Sequence, residues 1–209
     1  APYTVADASF RRILTLSEQM HLPIHCHIHE TRQEVEESRV QHGVAPLARL
    51  DRLGLLGPGF IGVHGIYLDD NELARLAATG CSIAHCPTSN LKLASGIAPV
   101  ARMRQLGINV GLGTDGAASN NRLDMFGEMR LAALLAKGSS GDATTLAARE
   151  ALRMATLDGA TAFFAADAGV VEKLRPYVRV GLGYLTLGQP LSTLSGGEYQ
   201  RLRLGQALL

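Results

Sequence analysis

Cysteine is scarce in this chain. Cys26, Cys81 and Cys86 are an odd number without a disulfide framework, which excludes a stapled secreted scaffold and fits a reducing, cytoplasmic compartment. Net charge is nearly absent. A formal +1 at pH 7 predicts no general attraction to nucleic acid or to a membrane surface. No apolar run reaches membrane-spanning length. Neither an initiating Met nor a signal peptide precedes Ala1-Pro2-Tyr3-Thr4, so the chain reads as starting inside a larger pattern. What is present is apolar: 46 % of 209 residues, enough to bury a core in one domain, or in one and a half.

The most unusual stretch is Ile24-His25-Cys26-His27-Ile28-His29-Glu30. Side chains two apart share one face of a strand, so His25, His27 and His29 would line one side, with Glu30 where the strand ends. Imidazoles beside a carboxylate suit a metal ion and a proton carrier. The plainer reading is a buried strand whose histidines are hydrogen-bonded or solvated.

The rest of the chain alternates. Helical spacing covers 6–20, then 31–53 with a break near Gly43, then 69–78, 97–106, 123–136 and 146–156. Between these fall short apolar strands: 22–30, 60–64 ending in His64, 81–85 ending in His85, and 108–115 ending in Asp115. A Gly/Ser loop is expected at 137–142. Strand–helix alternation predicts a parallel α/β sheet. Every strand ends in a titratable group, and in a (β/α) barrel that rim carries the active site. Core histidines would fall anywhere along a strand, so the metal-site reading gains weight.

These residues resemble a known family. His27-Ile28-His29-Glu30, His64, the run from Ser82 through His85-Cys86-Pro87-Thr88-Ser89-Asn90 to Leu93, and Gly113-Thr114-Asp115-Gly116-Ala117-Ala118-Ser119-Asn120-Asn121 are similar to the amidohydrolase superfamily. The branch is that of the 5-methylthioadenosine/S-adenosylhomocysteine deaminases and their chlorohydrolase relatives. The resemblance covers residues 1–160 and implies strands 5 to 8 of a (β/α)8 TIM-type barrel. It implies one divalent metal, usually zinc or iron, that activates a water by lowering its pKa. His27 and Asp115 are the implied metal ligands. Asp115 also takes the water's proton, Glu30 shuttles a proton to the ring nitrogen and the leaving amine, and His64 polarises the attacked carbon. His85 and the Ser89-Asn90 turn shape the pocket. The implied reaction is hydrolytic deamination of an aminopurine nucleoside. Glu30 favours deamination over dechlorination, because a leaving amine needs a proton. The family gives His25 and His29 no ligand role; His29 is expected near the pocket and His25 as structural. His21 and His42 are expected at the surface.

The resemblance also shows what these residues do not include. The family's His-x-His pair on the first strand is missing, leaving two of the usual four ligands. The expectation is weak metal binding, no deamination by this chain alone, exposed strand edges and an uncovered apolar face. A homodimer through those edges would bring two His27/Asp115 sets to one lumen.

The second segment, 161–209, is expected to be a helical unit of other origin. Residues 180–201 resemble the signature region of UvrA, an ABC-type ATPase of DNA excision repair. In that resemblance Ser195, Gly196, Gly197 and Glu198 bind nucleotide, their amides opening a helix toward a phosphate. The plainer reading is a capped helix start. No phosphate loop occurs here, so ATP and magnesium, and DNA through the tail alone, enter only if the tail works within a complete ABC domain.

Overall fold

A computed structural model describes residues 1–164, 168–182 and 195–207. Residues 183–194 of the UvrA-like stretch therefore lie outside the described residues.

A short 3-10 turn, Pro2–Thr4, leads into α1 (Asp7–Met20) and β1 (Ile24–Ile28). Next come α2 (Arg32–His42), α3 (Pro46–Arg52), β2 (Phe60–His64), α4 (Asp70–Thr79) and β3 (Ser82–His85). Then follow α5 (Pro87–Lys92), α6 (Val100–Gln105), β4 (Asn109–Leu112), α7 (Ala117–Asn120) and α8 (Met125–Ser140). The chain continues through α9 (Ala148–Ala155), α10 (Leu157–Phe163), α11 (Ala168–Arg179) and α12 (Gly196–Ala207).

The strands form one parallel sheet in the order β1-β2-β3-β4. Sequential parallel strands joined by helical crossovers are the α/β arrangement of a partial barrel. Helix boundaries follow local chemistry. Thr31 caps α2 by accepting from the Glu34 amide, and Gly43 ends it in the left-handed region. Asp69 and Glu72 close a capping box on α4.

The core lies between the sheet and its helices: Ile28, Leu47, Leu50, Phe60, Leu76, Ile83, Met103 and Val110 are buried there. Cys26 and Ile28 face it while His25 and His27 stay exposed, which is the alternation of a strand covered on one side. At Gly62 a Cβ would stand 2.5 Å from Ile28 Cδ1, so the outer face of β2 has no room for a side chain. Arg49 is a buried cation; it bonds Asp7 and the carbonyls of Pro2 and Val5, and so ties the first turns to α3.

Four expectations need correction. The helix expected to end at 136 continues through Ser140, because Lys137 donates to the carbonyls of Thr145 and Leu146 and Gly141 supplies the left-handed stop. The strand expected to reach Asp115 ends at Leu112. The 97–106 helix begins only at Val100, after Pro99. The inner face is not wholly bare either. The Asn109 side chain at the start of β4 bonds Ser82 and the Asp158 carbonyl, and a Cβ on Gly111 would lie 3.0 Å from Gly159 Cα. Thus α10 lies against the sheet near the strand starts, and it runs across the expected boundary at 160/161. Beyond it, α11 and α12 are helices as expected and meet through Tyr177 and Gly205. Among the described residues no helix is long and apolar enough to cross a membrane, and the three cysteines are free and buried.

Candidate active site

His27, His64, His85 and Asp115 fall at the C-terminal ends of the four strands, with Glu30 just past β1. The ends of β1 and β2 meet directly: the His27 and His64 rings stack with centroids 5.1 Å apart. His64 has φ +71°, a left-handed turn-out that a strand residue does not ordinarily adopt. That turn lets its ring leave the sheet's alternation and lie beside His27. Glu30 Oε2 stands 3.7 Å from His64 Nε2. The Glu30 amide donates to the buried Glu34 carboxylate at 2.9 Å, which fixes the backbone of the Glu30 turn.

Asp115 sits three residues past β4 with φ +59°. Ser89 donates to its Oδ2 at 2.6 Å and the Gly116 amide to its Oδ1 at 2.7 Å. Next to Ser89, Asn90 Oδ1 lies 2.7 Å from His64 Nδ1. Both Ser89 and Asn90 are buried on α5. The Asn90 oxygen therefore calls for a proton on His64 Nδ1, leaving Nε2 as a bare lone pair on the Glu30 side. That Nε2 is buried and has no hydrogen-bond partner.

Charge states follow from these surroundings. Partial desolvation of its ring lowers the His27 pKa, against opposing pulls from Glu30 and Asp115; the net shift is downward, to a neutral imidazole at pH 7. Burial pushes the Asp115 pKa up, but hydrogen bonds from Ser89, Ser119 and Gly116 outweigh it and hold the carboxyl below its ordinary value. His85 is fully buried, and burial together with His64 brings it down to about 4. Burial pushes the Cys86 thiol up to about 12, so it is no nucleophile at neutral pH.

A neutral imidazole and an ionised carboxylate are donors that a divalent cation such as zinc accepts. His27 and Asp115 present those two donor types at the rim. Among the described residues no three His, Cys, Asp or Glu side chains are grouped as a metal site, so the donors present suit part of a tetrahedral shell.

His29 does not share the exposed face of His27. The strand ends one residue before it, and φ +52° turns it off the His27 face. It is fully buried: Nδ1 lies 2.8 Å from the Tyr67 carbonyl, and Nε2 accepts from the Leu47 amide at 3.1 Å. It binds the end of β1 to α3 and to the loop after β2. His25 shares the exposed face of β1 with His27, while His21 and His42 are exposed as expected. Ser195, Gly196, Gly197 and Glu198 follow the plainer expectation. The Ser195 amide donates to the Glu198 carboxylate at 2.7 Å, and the Glu198 amide to Ser195 Oγ at 3.3 Å. That reciprocal pair caps α12 and puts a carboxylate where a phosphate would bind.

Sequence reasoning passed over Glu34, Asn120 and Glu128, all buried and all bonded to the rim's backbone or loops. The Thr31-x-x-Glu34 spacing was a readable signal for the first, since it is that of a capping box. Glu128 carried only the signal of an acidic residue in an otherwise apolar helix stripe.

The comparisons with known proteins agree with this fold. The sequence profile described as "Amidohydrolase family" matches residues 1–173. A 5-methylthioadenosine/S-adenosylhomocysteine deaminase of Teredinibacter turnerae is 49 % identical over 162 residues, covering 78 % of this chain and 37 % of that protein. One of the same name from Pyrococcus furiosus is 39 % identical over 216 residues, covering 97 % of this chain and 50 % of that protein. A crystal structure of an adenosine deaminase from Xanthomonas campestris with bound zinc superposes with a TM-score of 0.77 at 52 % identity, over 79 % of this chain and 38 % of that one. The chain spans half or less of each of these relatives.

Proposed function

The chain belongs to the amidohydrolase family, and on that premise we propose that its rim is the metal- and proton-handling part of a hydrolytic deaminase of aminopurine nucleosides. The carrying observation is the unpartnered, buried Nε2 of His64, stacked on neutral His27 and facing Glu30. Relatives named for methylthioadenosine, S-adenosylhomocysteine and adenosine support the substrate class.

His27 and the Asp115 carboxylate would hold the divalent metal, zinc before iron; the similar adenosine deaminase structure contains bound zinc. When bound, the metal supplies Lewis acidity that makes an attacking water acidic near neutral pH. Asp115, kept ionised by Ser89 and Gly116, accepts that water's proton on a carboxylate oxygen. Glu30 carries a proton to the purine ring nitrogen and then to the departing amine. His64 holds the attacked carbon's substituents through Nε2, its ring fixed by Asn90. His85, Ser89 and Asn90 wall the pocket. A carboxylic acid beside the leaving group serves ammonia release better than chloride release, which separates this reading from a chlorohydrolase.

These residues contribute two metal donors. The chain should bind zinc weakly and release no ammonia from adenosine, methylthioadenosine or S-adenosylhomocysteine. Metal analysis and an ammonia-release assay test this, and zinc-dependent shifts of the His27 ring signals test the site itself. Absence of any His27 response to zinc would remove the metal reading. A homodimer through the open edge of β1 is part of the proposal, and a monomer by sedimentation at high concentration ends it. ATP, magnesium and DNA have no place in it, because a deaminase relative aligns over 97 % of this chain.

A further inference from the structure

Three consecutive residues of α5 reach three different groups. The Thr88 amide donates to Glu128 Oε2 at 3.1 Å, Ser89 Oγ donates to Asp115 Oδ2 at 2.6 Å, and Asn90 Oδ1 meets His64 Nδ1 at 2.7 Å. The helix has six residues and no side-chain cap of its own. Its placement has to come from outside: α8 holds its start, while Lys92 at its end donates to the Ala118 carbonyl and Asn121 Oδ1. Glu128 is 1 % exposed. Its other oxygen, Oε1, accepts from Asn120 Nδ2 at 2.7 Å, and the same Nδ2 donates to the Thr114 carbonyl at 2.6 Å. Thr114 directly precedes Asp115, whose left-handed backbone is costly for a residue with a Cβ and persists only where its surroundings hold it.

We propose that Glu128 is the positioning residue of this rim: one buried carboxylate joins the start of α5 to the Asp115 loop and so sets the places of Asp115 and His64 together. The proposal rests on the deaminase reading only for what those two residues do. A buried carboxylate is disfavoured unless hydrogen-bonded, and both oxygens here accept from donors. A glutamine of equal size would turn one oxygen into an amide facing a donor. Either the Thr88 amide loses its partner, or Asn120 must flip and abandon the Thr114 carbonyl.

The test is Glu128→Gln in the full chain, followed by NMR. The Thr88 amide should exchange at least about tenfold faster, while the Asp115 carboxyl and His64 ring resonances move, and the Ile83 and Val110 amides keep their exchange rates. Uniform acceleration would make Glu128 a general stability residue and overturn the proposal. Faster exchange at Thr88 with unmoved Asp115 and His64 signals would make it a local helix cap and overturn it too. Should Glu128→Gln fail to fold, Asn120→Ser, which breaks only the Asp115 arm, must move the Asp115 resonance; no movement sinks the proposal. Zinc titration of the unsubstituted chain is the separate control: no His27 response removes the deaminase reading and leaves the Glu128 result standing.

Discussion

The two ends of the rim are built differently. At β4 the polar groups are saturated: Asp115 is held by Ser89 and Gly116, and Glu128 by Thr88 and Asn120, whereas at β3 the buried His85 Nδ1 has no partner. At β1 and β2 the groups are left partly open, with His27 exposed and His64 Nε2 without a partner. The fixed end sets geometry before any ligand arrives. The open end keeps lone pairs free for one, at a cost in stability that a buried unpaired acceptor always carries.

The strongest way to break this contrast is to remove a donor from each end. His27→Ala and Asp115→Ala should each weaken zinc binding by more than the ~10–100-fold typical of changes one shell further out, read by calorimetry or by NMR titration. Equal insensitivity of both would mean that the two ends do not share an ion. Acid is the next lever. His85 is neutral in the fold with a pKa of about 4, against about 6.5 when unfolded. The unfolded chain therefore binds more protons between those values, so stability is full above pH 6.5 and falls as pH drops toward 4. The loss from His85 alone should approach about 3 kcal/mol by urea denaturation, and His85→Asn should flatten the slope. Ser89→Ala should sharpen the comparison at the saturated end. It deletes a short charged hydrogen bond and should cost about 1.5–3 kcal/mol while raising the Asp115 pKa, seen in the carboxyl NMR titration. The smallest effect belongs away from the rim. Arg75→Ala breaks an exposed pair with Asp51 and should leave the melting temperature unchanged.

How much of this could be read beforehand varies with the physics involved. Strands ending in His64 and His85 were legible, because a polar residue closing an apolar run at a turn is a local signal. So was the break at Gly43. The short helices α5, α7 and α10 were not. Runs such as Ala117–Asn120 contain no 3.6-residue period, and α5 depends on Glu128, forty residues away. His29 misled because alternation governs a strand only while the strand lasts, and the backbone turns left-handed at that residue. The Ser195–Glu198 stretch shows the opposite lesson. A motif matched on identity alone folds into an ordinary reciprocal cap, a possibility the spacing S-x-x-E already held.

Gly111 and Gly159 meet backbone to backbone, with no side chain between them. A methyl on Gly111 would stand 3.0 Å from Gly159 Cα and push helix and strand apart, so this point of the floor admits no side chain. Diversity must then enter from above, through the loops at the mouth, where a change of residue alters what is recognised without disturbing the seat on which everything rests.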